Sequence, residues 1–335
     1  MKFLRKLNRK SLVGKVCLLR TDFNVQSVSD SLRLERSLPT IKFLLKNNTR
    51  IVILSHKGRP DLSDKGRFSL KPLAQFLGGE LGQKIIFLEN IPSKLPAGKV
   101  FLLENLRFWH GEDANEQEFA EKLAALGDLY VNDAFAVSHR ANASVTYLPK
   151  LLPAYAGLLL SEEVKNLSKV MLKPKKPLVL IFGGAKLQDK IPVIENLLAK
   201  ASVILLGSTA VGFEHSVLNS TKVHRPTDWV SENKKILDAG PLTVTEYVKI
   251  IAKAKTIIWN GPLGFFENRK FAISSIAVAK AIAKSKAFSV AGGGETTQLI
   301  LSLGLEKKFS FLSTGGGAML EFLSGKKLPG IEALK

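Results

Sequence analysis

Three glycine-rich stretches in the second half of the chain each follow a short apolar run: LVLIFGGAKLQDK (178–190), FSVAGGGETTQ (288–298) and FSFLSTGGGAML (309–320). An apolar strand that runs into bare glycines and then a helix turns backbone N–H groups and a positive helix end toward an anion, usually a phosphate. In the first stretch Lys186 and Lys190 lie four residues apart. At the start of a helix that spacing puts two ammonium groups on one face, where they would offset charge on a phosphoryl group in transfer. Two solvated lysines after a glycine turn fit equally well, because the spacing is not that of a P-loop. Glu295 follows the glycines 292–294 and either caps a helix, the default, or holds Mg²⁺. WNGPLGFFE (259–267) forms a Gly-Pro turn ending in Glu267, either an acceptor for ribose hydroxyls or a surface carboxylate.

The first half ends its apolar runs in polar and basic clusters instead. Asp22 and Asn24 end LLRTDFN (18–24), His56 and Arg59 follow IVIL, Arg107 follows FLLEN, and His139 and Arg140 close LYVNDAFAVSHR (129–140). Each residue alone reads as a solvated loop position. All four clusters, however, fall at the C-terminal ends of predicted parallel strands, the edge where an open α/β sheet gathers its ligands. Arginine suits bidentate contacts with phosphate and carboxylate, while the histidines lack metal-ligand spacing. One half would hold a nucleotide by its backbone and the other would grip a small anion. That division suggests phosphoryl transfer between two facing domains.

The elements that must carry these clusters are legible as alternation. Short runs rich in Val, Ile and Leu alternate with amphipathic segments, the pattern of a parallel α/β sheet. Strands are expected near 16–20, 50–55, 84–88, 100–104, 129–132, 178–182, 202–206, 256–259, 287–291 and 309–313. Asn115 with Glu118 and Thr243 with Glu246 have capping-box spacing, opening one helix with Phe119, Leu123 and Leu126 on one face and another over 244–254. A helix over 161–172 runs into KPKKP and marks the domain boundary.

At 335 residues the chain is long for one core, so two domains are expected. A hydrophobic content of 45% fits a packed soluble protein. No apolar run approaches the ~20 residues that span a bilayer. The basic start MKFLRKLNRKSLVGK lacks the apolar core of a secretory signal. Its first acidic residue is Asp22, but the strand pattern beginning near Val16 leaves little room for a leader, so a cytoplasmic location is expected. Cys17 is the single cysteine, which excludes an intrachain disulfide and reads as a buried inert thiol. The net charge of +20 could serve nucleic acid, an acidic membrane or small polyanions. The lysines are spread along the chain without a basic arm, zinc-finger spacing or RNA-binding aromatic motif. A basic cytoplasm explains them, and neither a specific nucleic acid nor a membrane is expected as partner.

In order and spacing, RTDFN, SHKGRP, LLENLRF, VNDAF-x-x-SHRA-x-AS, GGAK-x-x-DKI, WNGP-x-G-x-FE, GGGE and STGGGA resemble the phosphoglycerate kinase family, from about Val16 through the closing LPGIEAL. The resemblance implies reversible transfer between 1,3-bisphosphoglycerate with ADP and 3-phosphoglycerate with ATP, in glycolysis or gluconeogenesis, by a monomer that takes its nucleotide with Mg²⁺. It implies two Rossmann-like domains: a phosphoglycerate domain over 1–158, a helical hinge over 159–174, a nucleotide domain over 175–312, and a segment 313–335 returning to the first domain. Carried over, Asp22, Phe23, Asn24, Arg33, His56, Lys57, Gly58, Arg59, Arg107, His139 and Arg140 would bind phosphoglycerate. Gly184, Ala185, Lys186, Lys190, Gly207, Asn260, Gly261, Pro262, Glu267, Gly292, Gly293, Gly294, Glu295 and Thr296 would bind the nucleotide, with Glu295 on Mg²⁺. Arg33, Lys186 and Lys190 would act on the transferred group.

Departures from the family pattern cluster in the second half. Glu295 stands for an aspartate, Leu206-Gly207-Ser208 for a glycine triplet, and the chain between Phe213 and Gly240 is short where the family builds part of its adenine pocket. In the first half, Ala136 replaces a glycine. A pseudoenzyme or anion-binding protein on the same fold is the alternative. A nicotinamide dehydrogenase is discounted because no G-x-G-x-x-G with a following acidic residue occurs.

Overall fold

The computed structural model describes residues 1–25, 32–60 and 65–335. The strands of the first half are β1 (Val16–Arg20), β2 (Arg50–Leu54), β3 (Ile85–Leu88), β4 (Val100–Leu103), β5 (Leu129–Asn132) and β6 (Ala154–Ala156), in the sheet order β3-β4-β2-β1-β5-β6. Those of the second half are β7 (Leu178–Phe182), β8 (Val203–Leu206), β9 (Val223–His224), a hairpin of β10 (Trp229–Glu232) and β11 (Lys235–Ala239), β12 (Thr256–Asn260), β13 (Phe288–Gly292) and β14 (Phe311–Ser313). Apart from the antiparallel hairpin they order as β14-β13-β12-β7-β8-β9, and every pairing within both six-stranded sheets is parallel. The fold is therefore two helix-flanked parallel α/β sheets, as the alternating pattern predicts.

The ten expected strands all form. Those missed are β6, β9, β10 and β11, which are short or carry little apolar run. The strands read as unbroken apolar runs because helices cover both faces: every residue of β7 and β12 is buried. Each sheet has its own core, Leu19, Ile53, Leu102 and Val131 with Leu34 and Ile41 in one, and Ile181, Leu205, Ile257 and Trp259 with Tyr247 and Ile251 in the other. Cys17 is buried, and burial pushes its thiol far up, consistent with an inert role.

Two compact units result, Met1–Glu163 with Lys327–Lys335, and Val164–Lys326. The helix Leu158–Leu172 carries the chain from the first into the second. At its start Leu160 N donates to Asp133 Oδ1 at 3.1 Å, and Leu158 N donates to Thr40 Oγ1 at 3.0 Å. The last residues come back to the first unit, where Gly330 N donates to Ser138 O at 2.8 Å and Lys2 N to Leu334 O at 3.3 Å. Gly330 lies so close that a Cβ there would meet Val145 Cγ1 at 2.6 Å and Ser138 Cα at 3.0 Å. The closing LPGIEAL thus supports the loop that carries His139 and Arg140. Among the described residues no helix is long and apolar enough to cross a membrane.

Two capping expectations are corrected. Asn115 adopts a left-handed φ of 57° and accepts from Thr146 Oγ1 at 2.7 Å, and the helix Gln117–Ala124 starts from Glu116 without a side-chain cap. The second helix begins at Pro241, two residues before Thr243, because proline is already set for a first helical position. Its free amides at Leu242 and Thr243 are taken by Asp228, at 2.9 and 2.7 Å. A carboxylate distant in sequence does what the local box was expected to do.

Candidate functional site

In the first unit, the C-terminal ends of β1, β2 and β4 and the loop after β5 deliver the predicted basic cluster. Arg20, the last residue of β1, is 1% exposed. Its Nε donates to Ser144 Oγ at 2.8 Å and its Nη2 lies 3.5 Å from Glu112 Oε1. Glu112 in turn accepts from Ser144 Oγ at 2.6 Å and Ser144 N at 2.9 Å. A buried charge pair without such hydrogen bonds would be costly, so the serine and its amide are part of what keeps Arg20 in place. Arg20 also approaches His56 Nδ1, at 3.4 Å from Nη2.

His56 is 2% exposed, and burial first, then Arg20, Arg107, Arg33 and Arg140, hold its pKa well below the ordinary value. It is neutral at pH 7. Four guanidinium groups therefore bear on one uncharged imidazole, with Asp22 as the near carboxylate: His56 Nε2 lies 3.8 Å from Asp22 Oδ1 and Arg33 Nη1 lies 3.1 Å from Asp22 Oδ2. Arg20, Arg33 and Arg107 each pair with a carboxylate, Glu112, Asp22 and Asp113, and with Arg140 the cluster still carries more guanidinium than carboxylate charge, which suits an anion.

Loop contacts fix the rest. Asn24 Oδ1 accepts from Gly58 N at 2.8 Å, and Asn24 O from Arg33 Nη1 at 3.0 Å. Asn105 Oδ1 accepts from Lys57 N at 3.2 Å and Arg107 N at 3.1 Å, while its Nδ2 donates to Lys57 O at 2.8 Å. Arg107 Nη1 donates to Gly58 O, and its Nε lies 3.4 Å from Asp113 Oδ1. Asp22, Asn24, Arg33, His56, Lys57, Gly58 and Arg107 thus form one connected set. Phe23 is different: its side chain lies in the apolar core, leaving its backbone, whose N–H donates to Ser55 Oγ at 2.9 Å. Arg59 is exposed, and His139 and Arg140 are half-buried.

In the second unit the glycine loops converge at the ends of β7, β12 and β13. Gly184 N donates to Pro262 O at 2.7 Å and Gly261 N to Thr296 Oγ1 at 2.7 Å, while Asn260 Nδ2 donates to Gly292 O at 2.9 Å. The approach of two backbones demands glycine at Gly261, where φ is 90° and a Cβ would lie 2.1 Å from Gly183 O. Gly207 packs against Leu263 in the same way, and Thr209 Oγ1 donates to Gly184 O at 3.0 Å. Thr296 is buried beneath the loops, while Ala185, Lys186, Gly294, Glu295 and Glu267 are exposed.

One expectation about the lysines is corrected. Lys186 precedes the 3-10 turn Leu187–Lys190, and the α-helix begins only at Ile191, with Pro192 in its first turn. The two lysines therefore do not share an α-helical face; Lys190 Nζ folds back to donate to Lys186 O at 2.9 Å. Burial lowers the Lys190 pKa, the carboxylates of Asp189 and Glu295 raise it, and Lys186 lowers it. Glu295 sits in the first turn of the helix Gly294–Ser302, its Oε2 beside Gly184. No group of three or more acidic, histidine or cysteine side chains able to hold a metal occurs among the described residues. One carboxylate, Glu295, in the first turn of a helix beside a glycine loop fits Mg²⁺ that arrives on a nucleotide, because that ion takes one or two carboxylates and completes its shell with phosphates and water.

Sequence reasoning passed over Arg20, Glu112, Ser144 and Asn105. Arg20 carried a usable signal, a charged residue ending an apolar strand two positions before Asp22. Glu112 and Ser144 carried none, since only the fold brings residues 32 apart in sequence together with Arg20.

The phosphoglycerate kinase family model matches residues 7–216 and 208–326. The two matches meet at the start of the stretch noted above as short. A phosphoglycerate kinase of Herpetosiphon aurantiacus is 40% identical over 379 residues, covering 96% of each chain, and one of Finegoldia magna is 37% identical over 393 residues, covering 98% of this chain and 99% of its own. Both alignments exceed the 335 residues of this chain, so the relatives carry segments it lacks. The solved phosphoglycerate kinase of Coxiella burnetii superposes with a TM-score of 0.85 at 34% identity, over 99% of this chain and 98% of that one. That of Pyrococcus horikoshii gives 0.88 at 30% identity, over 100% and 98%.

Proposed function

Because the chain belongs to the phosphoglycerate kinase family, we propose that it transfers a phosphoryl group reversibly between 1,3-bisphosphoglycerate with ADP and 3-phosphoglycerate with ATP, as a cytoplasmic glycolytic enzyme. The observation that carries the reading furthest is that Arg33, Arg107 and Arg140 all act on the buried His56 at the strand ends of the first unit, while Arg20 is held in the buried network with Glu112 and Ser144. A phosphorylated carboxylic acid has two anionic ends, and guanidinium forks grip both. The first unit would bind phosphoglycerate through Asp22, Asn24, Arg33, His56, Arg59, Arg107, His139 and Arg140. Phe23, Lys57 and Gly58 would contribute backbone. The second unit would take the nucleotide phosphates on the loops at Gly184, Ala185, Gly207, Asn260, Gly261, Pro262 and Gly292 to Thr296, and the ribose at Glu267.

The chemistry asked of the protein is small. The carboxylate of 3-phosphoglycerate is already a nucleophile, so no general base is required. Arg33 would offset charge at the moving group from the acid side, and Lys186 and Lys190 from the nucleotide side, with positioning supplying the rest. For Lys190 this means leaving Lys186 O, a single hydrogen bond. Glu295 would hold Mg²⁺, which when bound neutralises phosphate charge. A coupled assay with 3-phosphoglycerate and MgATP tests the proposal: turnover is expected, and inactivity of a folded protein would overturn it.

A further inference from the structure

At the opposite end of the second sheet from the glycine loops lies a cavity of about 250 Å³. Five of the nine residues lining it are lysines, Lys169, Lys173, Lys175, Lys255 and Lys286, and no acidic residue lines it. They come from three places in the chain. Lys169 lies in the last turn of the linking helix Leu158–Leu172, with Lys173 and Lys175 between that helix and β7, while Lys255 precedes β12 and Lys286 precedes β13. The strands between this cavity and the nucleotide loops are five residues long, roughly 16 Å at ~3.3 Å per residue. The cavity is no part of the site described above.

All five lysines are exposed, so water solvates each of them, but with no acidic residue in the lining the concavity is positive and would favour an anion. The negative end of the helix accounts for at most Lys169 and Lys173. Even there, Lys200 Nζ already donates to Met171 O at 2.7 Å, so that carbonyl needs no further cation. Lys169 Nζ lies 3.6 Å above the Phe288 ring centroid, a contact that holds this ammonium at the cavity wall. Lys175, Lys255 and Lys286 have no such local reason. The concavity suits a compact ligand of high charge, since lysines reach phosphate as mobile point charges from several directions. Its size excludes a duplex from entering, and an acidic membrane would need a flat face instead.

We propose that this cavity is a binding site for a small multiply charged phosphate anion of the oligophosphate class, fastening the end of the linking helix to the sheet. The probe is inorganic tripolyphosphate, titrated calorimetrically into the full-length protein at low and moderate salt. The variant Lys173→Gln/Lys255→Gln/Lys286→Gln removes three charges from the cavity, and Lys10→Gln/Lys42→Gln/Lys46→Gln removes three exposed charges elsewhere. One class of tripolyphosphate site should weaken at least tenfold in the first variant and stay within about twofold in the second, with a shallower salt dependence in the first. Equal weakening in both would overturn the site, leaving only a general field from the +20 charge. Unchanged tripolyphosphate binding, with loss instead of binding to duplex DNA or phosphatidylserine vesicles, would overturn it in favour of a macromolecular surface. The readout needs no turnover, so it stands apart from the coupled assay.

Discussion

The candidate sites of the two units are held by different means. In the first unit side chains hold side chains: Arg20, Glu112, Ser144, His56, Asp22 and Arg33 form a continuous network, most of it buried. In the second unit it is backbone that is held, by other backbone at Gly184, Gly207 and Gly261 and by the side chains of Thr209, Asn260 and Thr296, while Lys186, Glu295 and Glu267 stand exposed. A side-chain network fixes charge in place but fails when one member is lost. A glycine cradle accepts change in the side chains around it and fails only when the backbone moves. The departures read from the sequence against the family pattern fall mostly in the second half, as that difference would allow.

The largest effect that would break the comparison is in the buried network. Glu112→Ala strands Arg20 without its carboxylate, and losing one partner of a buried pair costs about 3–5 kcal/mol. Chemical denaturation should show that loss. A change under about 1 kcal/mol would mean that the network is not what holds the first half.

Next is the reacting group. Arg33→Ala and Lys190→Ala should each lower kcat on the order of 10²-fold or more, with smaller effects on substrate affinity. Arg59→Ala and Arg140→Ala should act chiefly on phosphoglycerate affinity. Steady-state kinetics separates the two classes, and a variant within a few-fold of wild type removes its residue from the transfer step.

A third prediction concerns Asp133, which accepts Leu160 N at the start of the linking helix. Burial pushes its pKa up to about 7, against the lowering effect of its hydrogen bonds with Thr40, Leu160 and Leu159. The native state therefore binds the proton more tightly than the unfolded chain. Its contribution is complete below about pH 4 and is lost as pH rises through about 7, at about 1.4 kcal/mol per pH unit in between. His56 acts oppositely, because its depressed pKa favours the folded state above pH ~6.5 and weakens it as pH falls. Asp133→Asn should remove the first slope and leave the second. Parallel stability profiles for variant and wild type would refute the assignment.

The smallest effect sharpens the nucleotide half. With the stretch between Phe213 and Gly240 reduced to a 3-10 turn, β9 and the β10–β11 hairpin, apolar walls that discriminate among bases should be reduced while phosphate and ribose contacts persist. GTP and ITP should then be used within about tenfold of ATP, at most ~1.4 kcal/mol. Comparing kcat/KM at saturating Mg²⁺ decides it; strong ATP selectivity would mean that the remaining loops rebuild the pocket.

The sequence by itself determined most of the frame. Ten strands were legible because a strand buried on both faces must be apolar throughout, as at Leu178–Phe182. The glycine loops were legible because only glycine tolerates the approach seen at Gly261, and a residue type imposed by sterics leaves its mark in the sequence. The tertiary structure alone decided how the charges are held. Glu112 and Ser144 sit far along the chain from Arg20, and nothing in their local spacing marks them as its partners. The caps went the same way: Thr243 and Glu246 had box spacing, yet Asp228 binds the helix amides. Backbone conformation answers to neighbours a few residues away, so periodicity reports it. A charge or hydrogen-bond donor answers to whatever lies within a few ångströms, and in this chain that partner is commonly supplied by another strand's loop.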